Sequence, residues 1–182
     1  TGLKYDYIYS GGEPYISQIG MELSLYNSFF NLLNNLNIDF LYKNYLLQKN
    51  DKRDSLNYTI SDTIKKIANN KLYYLSLNFQ KERKTKGELT TVDNNSMGFV
   101  VGENYKFSPT FNINPSFSYT KTLYNDKDAF FQKKREDKKM VIGLKMNNNF
   151  NSFGVQTNIQ YLKNNSNIEP YKYNKWLMNL SF

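Results

Sequence analysis

Apolar and polar residues alternate with a period of two along most of this chain. The closing stretch shows it well: Trp176, Met178, Leu180 and Phe182 share one parity, while Asn179 and Ser181 take the other together with Leu177. Successive side chains leave a strand on opposite faces, so period two predicts a strand. The same pattern predicts strands over 3–10, 16–30, 36–47, 56–67, 71–81, 96–107, 111–124, 138–147 and 152–163, ten with the last. The apolar parity carries, for example, Ile19, Met21, Leu23 and Leu25, then Tyr73, Leu75, Leu77 and Phe79, then Met140, Ile142, Leu144 and Met146. The opposite parity is rich in Asn, Ser, Gln and Lys, and holds Gly20, Gly98, Gly102, Gly143 and Gly154. Small residues there ease curvature or leave room for a plug.

Three residues break the pattern. Asp62 falls on the apolar parity, and 61–68 also reads as a short helix. Glu103 falls on the apolar parity and needs a bulge, an interfacial depth or a protein neighbour. Pro115 sits inside the seventh segment, where a strand normally rejects it.

The connections differ in character. Those after the odd segments are mostly long or charged: 48–55, 81–95, 125–137 and 164–170, with a Gly-Gly-Glu-Pro turn after the first. Those after the even segments, such as Asn69-Asn70, are short and low in charge. Outer-membrane barrels have long extracellular loops, short periplasmic turns and an even strand number. The expected fold is therefore all-β: an antiparallel up-and-down transmembrane β-barrel over 1–182, with both chain ends periplasmic. A soluble sandwich would bury its apolar parity in one core and would rarely need ten long strands with such regular link lengths.

Composition supports this. Aromatic residues make up 16%, with 16 Tyr and 13 Phe, although hydrophobic residues reach only 40%. A wall with one face in water and one in lipid, with aromatic girdles, reconciles the two. No run approaches the roughly 18 apolar residues of a spanning helix. Thr1 is not a natural start and no signal peptide is visible, so the chain reads as processed or as a fragment. Cysteine and histidine are both absent. Disulfides, thiolate metal sites, imidazole bases and His-ligated metals are excluded. Outer-membrane barrel lipases and proteases use histidine, so no enzyme of those types, no metal and no cofactor is expected. The net charge of +8 comes without any nucleic-acid motif, and nucleic acid is not an expected partner.

The last third of the chain carries motifs. Arg135-Glu136-Asp137 precedes a strand, Ser166-Asn167-Ile168-Glu169-Pro170-Tyr171-Lys172-Tyr173 leads into the final one, and that strand ends on Phe182. This resembles the C-terminal barrel of the surface lipoprotein assembly modulator family, which has an Arg-x-Asp element and a Ser-Asn-Ile-x-x-Tyr-x-Tyr element at these places. The family's Gly-x-x-Pro element is only half kept, as Gly154 without the proline. Lys175, Trp176, Met178, Leu180 and Phe182 resemble a barrel-assembly signal, with Leu177 where glycine is usual. The resemblance implies a barrel of about fourteen strands, of which this chain would be the C-terminal part. It also implies a periplasmic helical-repeat domain absent here, and movement of lipoproteins or related secreted cargo to the cell surface. Expected partners are that cargo, the barrel assembly machinery, membrane lipid and lipopolysaccharide.

Two charged loops are candidate contacts for cargo or lipopolysaccharide phosphates. One holds Lys81, Arg83, Lys84 and Lys86, the other Phe130, Phe131, Lys133 and Lys134. Arg135 and Asp137 are expected to pair at the rim, and Phe130-Phe131 to anchor a loop in the interface. The alternatives are a porin-like channel for small solutes and a structural or adhesive barrel.

Overall fold

The computed structural model describes residues 1–10, 13–46, 54–85, 93–150 and 153–182. They form one ten-stranded antiparallel sheet in sequential order. The strands are β1 Gly2–Ser10, β2 Glu13–Phe29, β3 Leu32–Tyr45, β4 Ser55–Ala68 and β5 Lys71–Lys84. They continue with β6 Asn94–Lys106, β7 Phe111–Lys127, β8 Lys134–Asn149, β9 Gly154–Ser166 and β10 Tyr173–Ser181. Every neighbour pair is an up-and-down hairpin, as the alternation predicts. Register keeps the parities aligned: Leu3 faces Met21, Met21 faces Phe40, and Phe40 faces Tyr58. At the other end, Tyr119 faces Met140, Ile142 faces Tyr161, and Tyr161 faces Trp176.

Burial is inverted relative to a soluble protein. Among the described residues the buried hydrophobics are Ile16, Leu162 and Ile168, while Met21, Leu77, Met97, Ile142, Trp176 and Met178 all stand exposed. A soluble chain cannot leave so wide an apolar face in water, and lipid is the solvent that suits it. The opposite face is hydrogen-bonded across strands, by Ser24 to Asn37 at 2.7 Å, Thr63 to Ser76 at 2.9 Å and Asn147 to Asn112 at 2.8 Å.

The short links are tight. Phe30 and Asn31 both take positive φ, 44° and 63°, which matches the strand twist in a two-residue hairpin. Asn69 has φ 54° in the next one. Each turn is tied to its neighbours: Lys106 N donates to Asn70 O at 2.9 Å, and Asn149 N to Thr110 O at 2.8 Å.

Several boundaries differ from those read in the sequence. β5 runs to Lys84, so Lys81, Arg83 and Lys84 belong to a strand and not to a loop; Lys81 faces Tyr58 and Asn95. The predicted loop over 125–137 contracts to 128–133, because β7 and β8 continue into it. Arg135 and Asp137 thus lie within β8, not before it. β9 extends to Ser166 and β3 starts at Leu32. The cause is common to all four. Beyond the apolar band both faces are wet, so alternation fades, but the backbone ladder still satisfies its N–H and C=O groups. The helical option over 61–68 falls, since these residues pair with both β3 and β5. The first link does not share the length of the other odd ones: only 11–12 separate β1 from β2. Lys86 lies outside the described residues.

The pattern-breakers are accommodated. Pro115 faces Leu144 on β8, but pairing to β6 lapses between Gly102–Ser116 and Tyr105–Ile113. Proline has no N–H to give there. The register is the same on both sides of the gap, so Glu103 keeps its outward parity without a bulge. It lies close to the turn end of β6 at Lys106, an interfacial depth. Asp62 accepts from Asn34 Nδ2 at 2.6 Å on the same face.

Candidate functional site

The polar face carries a series of ion pairs. Lys4 bridges Glu22 at 2.9 Å and Asp39 at 2.8 Å. Lys43 meets Glu82 at 3.1 Å, and Ser55 Oγ donates to the same carboxylate at 2.8 Å. Lys84 pairs with Asp126 at 2.5 Å. On the opposite, lipid-side parity of β5, Arg83 pairs with Asp93 at 3.0 Å. Lys84 and Arg83, candidate contacts by sequence, each carry a carboxylate partner within the wall. Lys81 stands on the lipid-side parity of β5, and Lys133 is exposed in the loop.

Burial gathers at the end with the long links, and it is polar. Asp54, Ser55, Asp93, Asn94, Asp128, Asp137, Asn164 and Ser166 are all buried there. The densest part is built on β7, β8 and β9. Arg135 projects inward between two rings, its guanidinium carbon 4.3 Å from the Tyr124 centroid and 3.8 Å from that of Tyr171. Its Nε and Nη2 both donate to Asp137 Oδ2, at 2.9 and 2.5 Å. The side chains of Arg135 and Asp137 are 17% and 10% exposed, so this pair is largely out of water. Asp137 Oδ1 has no hydrogen-bond partner.

The sequence explains how Tyr171 reaches Arg135. Ile168 is buried and anchors the link after β9. Ser166 Oγ accepts from Ile168 N at 3.2 Å and starts the turn. Pro170 lies in the short 3₁₀ turn Glu169–Tyr171, where its fixed φ suits the geometry. Asn164 Nδ2 then donates to Tyr171 O at 2.8 Å. Asn167 ties the link to β8: Glu136 N donates to its Oδ1 at 2.8 Å, and its Nδ2 donates to Lys134 O at 2.8 Å.

Asp128 completes the cluster. Its Oδ1 accepts from Phe130 N and Phe131 N at 2.9 and 3.1 Å, closing the 128–133 link. Its Oδ2 accepts from Tyr171 Oη at 2.8 Å, joining the two links. These donors hold the Asp128 carboxyl below its ordinary range, the Phe131 amide first and the Tyr171 hydroxyl next. Tyr171 is correspondingly raised, chiefly by its bond to Asp128. Phe130 and Phe131 sit exposed at the tip.

The cluster lines a recess of about 400 Å³ together with Lys139 and Tyr173. Arg135, Asp137, Ser166, Asn167, Ile168 and Tyr171, separated in sequence, thus meet in one place, and Tyr173 borders it. Sequence reasoning missed Tyr124 and Asp128; both stand in a stretch read as loop or loop edge, where no periodicity marked them. On β10, Trp176, Met178 and Leu180 project to the apolar side, whereas Lys175 takes the wet parity, 5.5 Å from the Tyr173 ring. Among the described residues no group of His, Cys, Asp or Glu is arranged to hold a metal.

A BenF-like porin from Pseudomonas fluorescens Pf-5 has a similar structure, with a TM-score of 0.57 at 11% identity, over 92% of this chain and 48% of that one. OccAB4 from Acinetobacter baumannii gives 0.56 at 15% identity, over 98% and 48%. At such identities the likeness establishes the fold, a wall of an outer-membrane β-barrel. The chain spans about half the length of each of these structures. No curated protein matches it in sequence. The family model described as "Surface lipoprotein assembly modifier" matches residues 4–182. An apolar lipid face, a porin-like wall and a match over nearly the whole length leave one assignment: this Gram-negative outer-membrane chain belongs to the surface lipoprotein assembly modifier family.

Proposed function

We propose that this wall forms part of a polar conduit by which lipoproteins, or related secreted protein cargo, reach the cell surface. The observation that carries the reading is the convergence of Arg135, Asp137, Ile168 and Tyr171 in one largely buried cluster at the extracellular end of the wet face, with the exposed Asn167 tying the link above it to β8. Such a cluster holds the mouth of the conduit in one shape while cargo passes below it. The chain supplies a hydrated path and a fixed rim and does no covalent chemistry. Its terminal strand, with Trp176, Met178, Leu180 and Phe182 outward, is the segment the barrel assembly machinery reads.

The test is surface display. Cells carrying the native protein and a tagged lipoprotein are treated with external protease. Cargo should be digested in the parent, and protected when the protein is deleted or carries Arg135→Ala at equal barrel abundance. Equal digestion in all three strains refutes the proposal. The likeness of the wall to porins favours one second reading, a channel for small solutes. Steady conductance in planar bilayers together with unaltered lipoprotein display would select that channel.

A further inference from the structure

We infer that the lipid-side surface of β7, β8 and β9 binds the phosphates of the outer leaflet's glycolipid, lipid A, through Lys121, Lys138 and Lys163. None of these is a rim-cluster residue, and all three lie on the parity opposite Arg135 and Asp137. Lys121 on β7 faces Lys138 on β8 directly. Lys163 on β9 faces Met140, and Lys138 faces Asn165, so Lys138 and Lys163 are diagonal neighbours.

Depth is what selects the partner. The next outward pair below Lys121 and Lys138 is Tyr119 with Met140. Below Lys163 stands Tyr161, whose ring lies 5.0 Å from that of Trp176. Aromatic side chains of this kind mark the interface of a membrane barrel. The three lysines stand one step above them, at headgroup level, on the side of the long links. Anionic phosphate on an acylated sugar is what the outer leaflet presents there.

The charge is unbalanced without such a partner. Like charges directly opposite one another destabilise a sheet. Among the described residues Glu136 is the one carboxylate bonded to the patch, to Lys121 at 3.1 Å and Lys138 at 3.3 Å. It leaves a surplus of two positive charges, and Lys163 makes no ion pair among the described residues. Lys138 is about half exposed and shares the single Glu136 oxygen with Lys121, so the two ammoniums are only partly neutralised. By contrast Arg83 and Lys84, basic residues expected to make such contacts, are neutralised by Asp93 and Asp126. Acyl chains of a bound lipid A would then lie along Met140, Ile142, Tyr161 and Trp176.

The test uses the native chain, purified from outer membranes and stripped of lipid, titrated with hexa-acylated lipid A and followed by native mass spectrometry. The variant Lys121→Gln/Lys138→Gln/Lys163→Gln is compared with Lys65→Gln/Lys106→Gln/Lys145→Gln, which removes equal charge from the wet face. The lipid-side variant should bind about a hundredfold more weakly, since each surface lysine at an anionic lipid contributes about a fivefold factor. The wet-face variant should bind within about twofold of the parent, because its lysines stand on the other side of the wall, where water and salt screen them. Binding should fall stepwise from bisphosphorylated to monophosphorylated to dephosphorylated lipid A. Equal loss in both triple variants, no loss in the first, or equal binding of dephosphorylated lipid A overturns the inference. Should the triple variant fail to assemble, Lys163→Gln alone carries the test, with about a fivefold loss expected and unchanged binding refuting it.

Discussion

Replacing Arg135 by alanine is the sharpest probe of the rim cluster. The change removes the only cation bonded to Asp137 among the described residues; the Asp137 side chain is 10% exposed and its Oδ1 already lacks a partner there. Removing one partner of a buried pair costs about 3–5 kcal/mol, because the remaining charge stays out of water. Loss of two ring contacts, at 3.8 and 4.3 Å, adds about 0.5–1 kcal/mol each. The expected total is about 4–7 kcal/mol, before relaxation lets water reach Asp137. Arg135→Lys keeps the charge but loses the planar stack and the second N–H to Asp137, so about half of that cost is expected. Arg135→Met/Asp137→Leu removes both charges and should be less destabilised than Arg135→Ala, since no lone charge remains. The assay is equilibrium unfolding in urea from detergent micelles, read by Trp176 fluorescence and by heat-dependent gel mobility. A cost below about 1 kcal/mol for Arg135→Ala would place the pair among ordinary surface ion pairs and refute the argument. So would a double variant less stable than the single.

Other outcomes follow from the same geometry. Asn167→Ala removes two hydrogen bonds between the links and should cost about 1–3 kcal/mol; hydrogen exchange at the Glu136 amide should rise in that variant while exchange at mid-β8 stays unchanged. The Asp128–Tyr171 bond makes the rim sensitive to pH at both extremes. Asp128 titrates below its unfolded value, so its contribution is present above about pH 4 and lost as pH falls through the folded value. Tyr171 titrates above its unfolded value, so its contribution is present below about pH 10 and lost as pH rises through the folded value. Tyr171→Phe should flatten both limbs in a stability–pH profile; a profile like the parent's would count against the bond. Gly102→Ala should weaken the barrel by about 1–3 kcal/mol, because a Cβ there would collide with the Tyr74 ring and lie 2.7 Å from Pro115 O. Gly154→Ala meets only the Asn149 side chain at 3.0 Å and the Asn148 carbonyl at 3.9 Å, and should be tolerated. Urea midpoints for the two variants separate these cases.

The sequence by itself determined the strands, their parities and which face meets lipid. Each of these is local: period two follows from the pleat, and an apolar parity such as Ile19, Met21, Leu23 and Leu25 declares its face without reference to any other strand. The motif residues Arg135, Asp137 and Ser166 to Tyr173 were legible too, but as separate runs. Strand ends were not, because above the membrane both faces are wet and only backbone pairing continues; hence Lys81 and Arg83 read as loop residues although they lie in β5. Only the tertiary structure decided which charges satisfy one another. Register placed Lys84 near Asp126, left Lys163 without an acid among the described residues, and set Lys121 against Lys138. It also brought Tyr124 and Asp128 to Arg135 and Tyr171. A side chain's partner across a sheet depends on the pairing of two distant segments, and a one-residue slip would reverse its face. The chemistry of the rim is therefore a property of register, whereas the wall itself is a property of alternation.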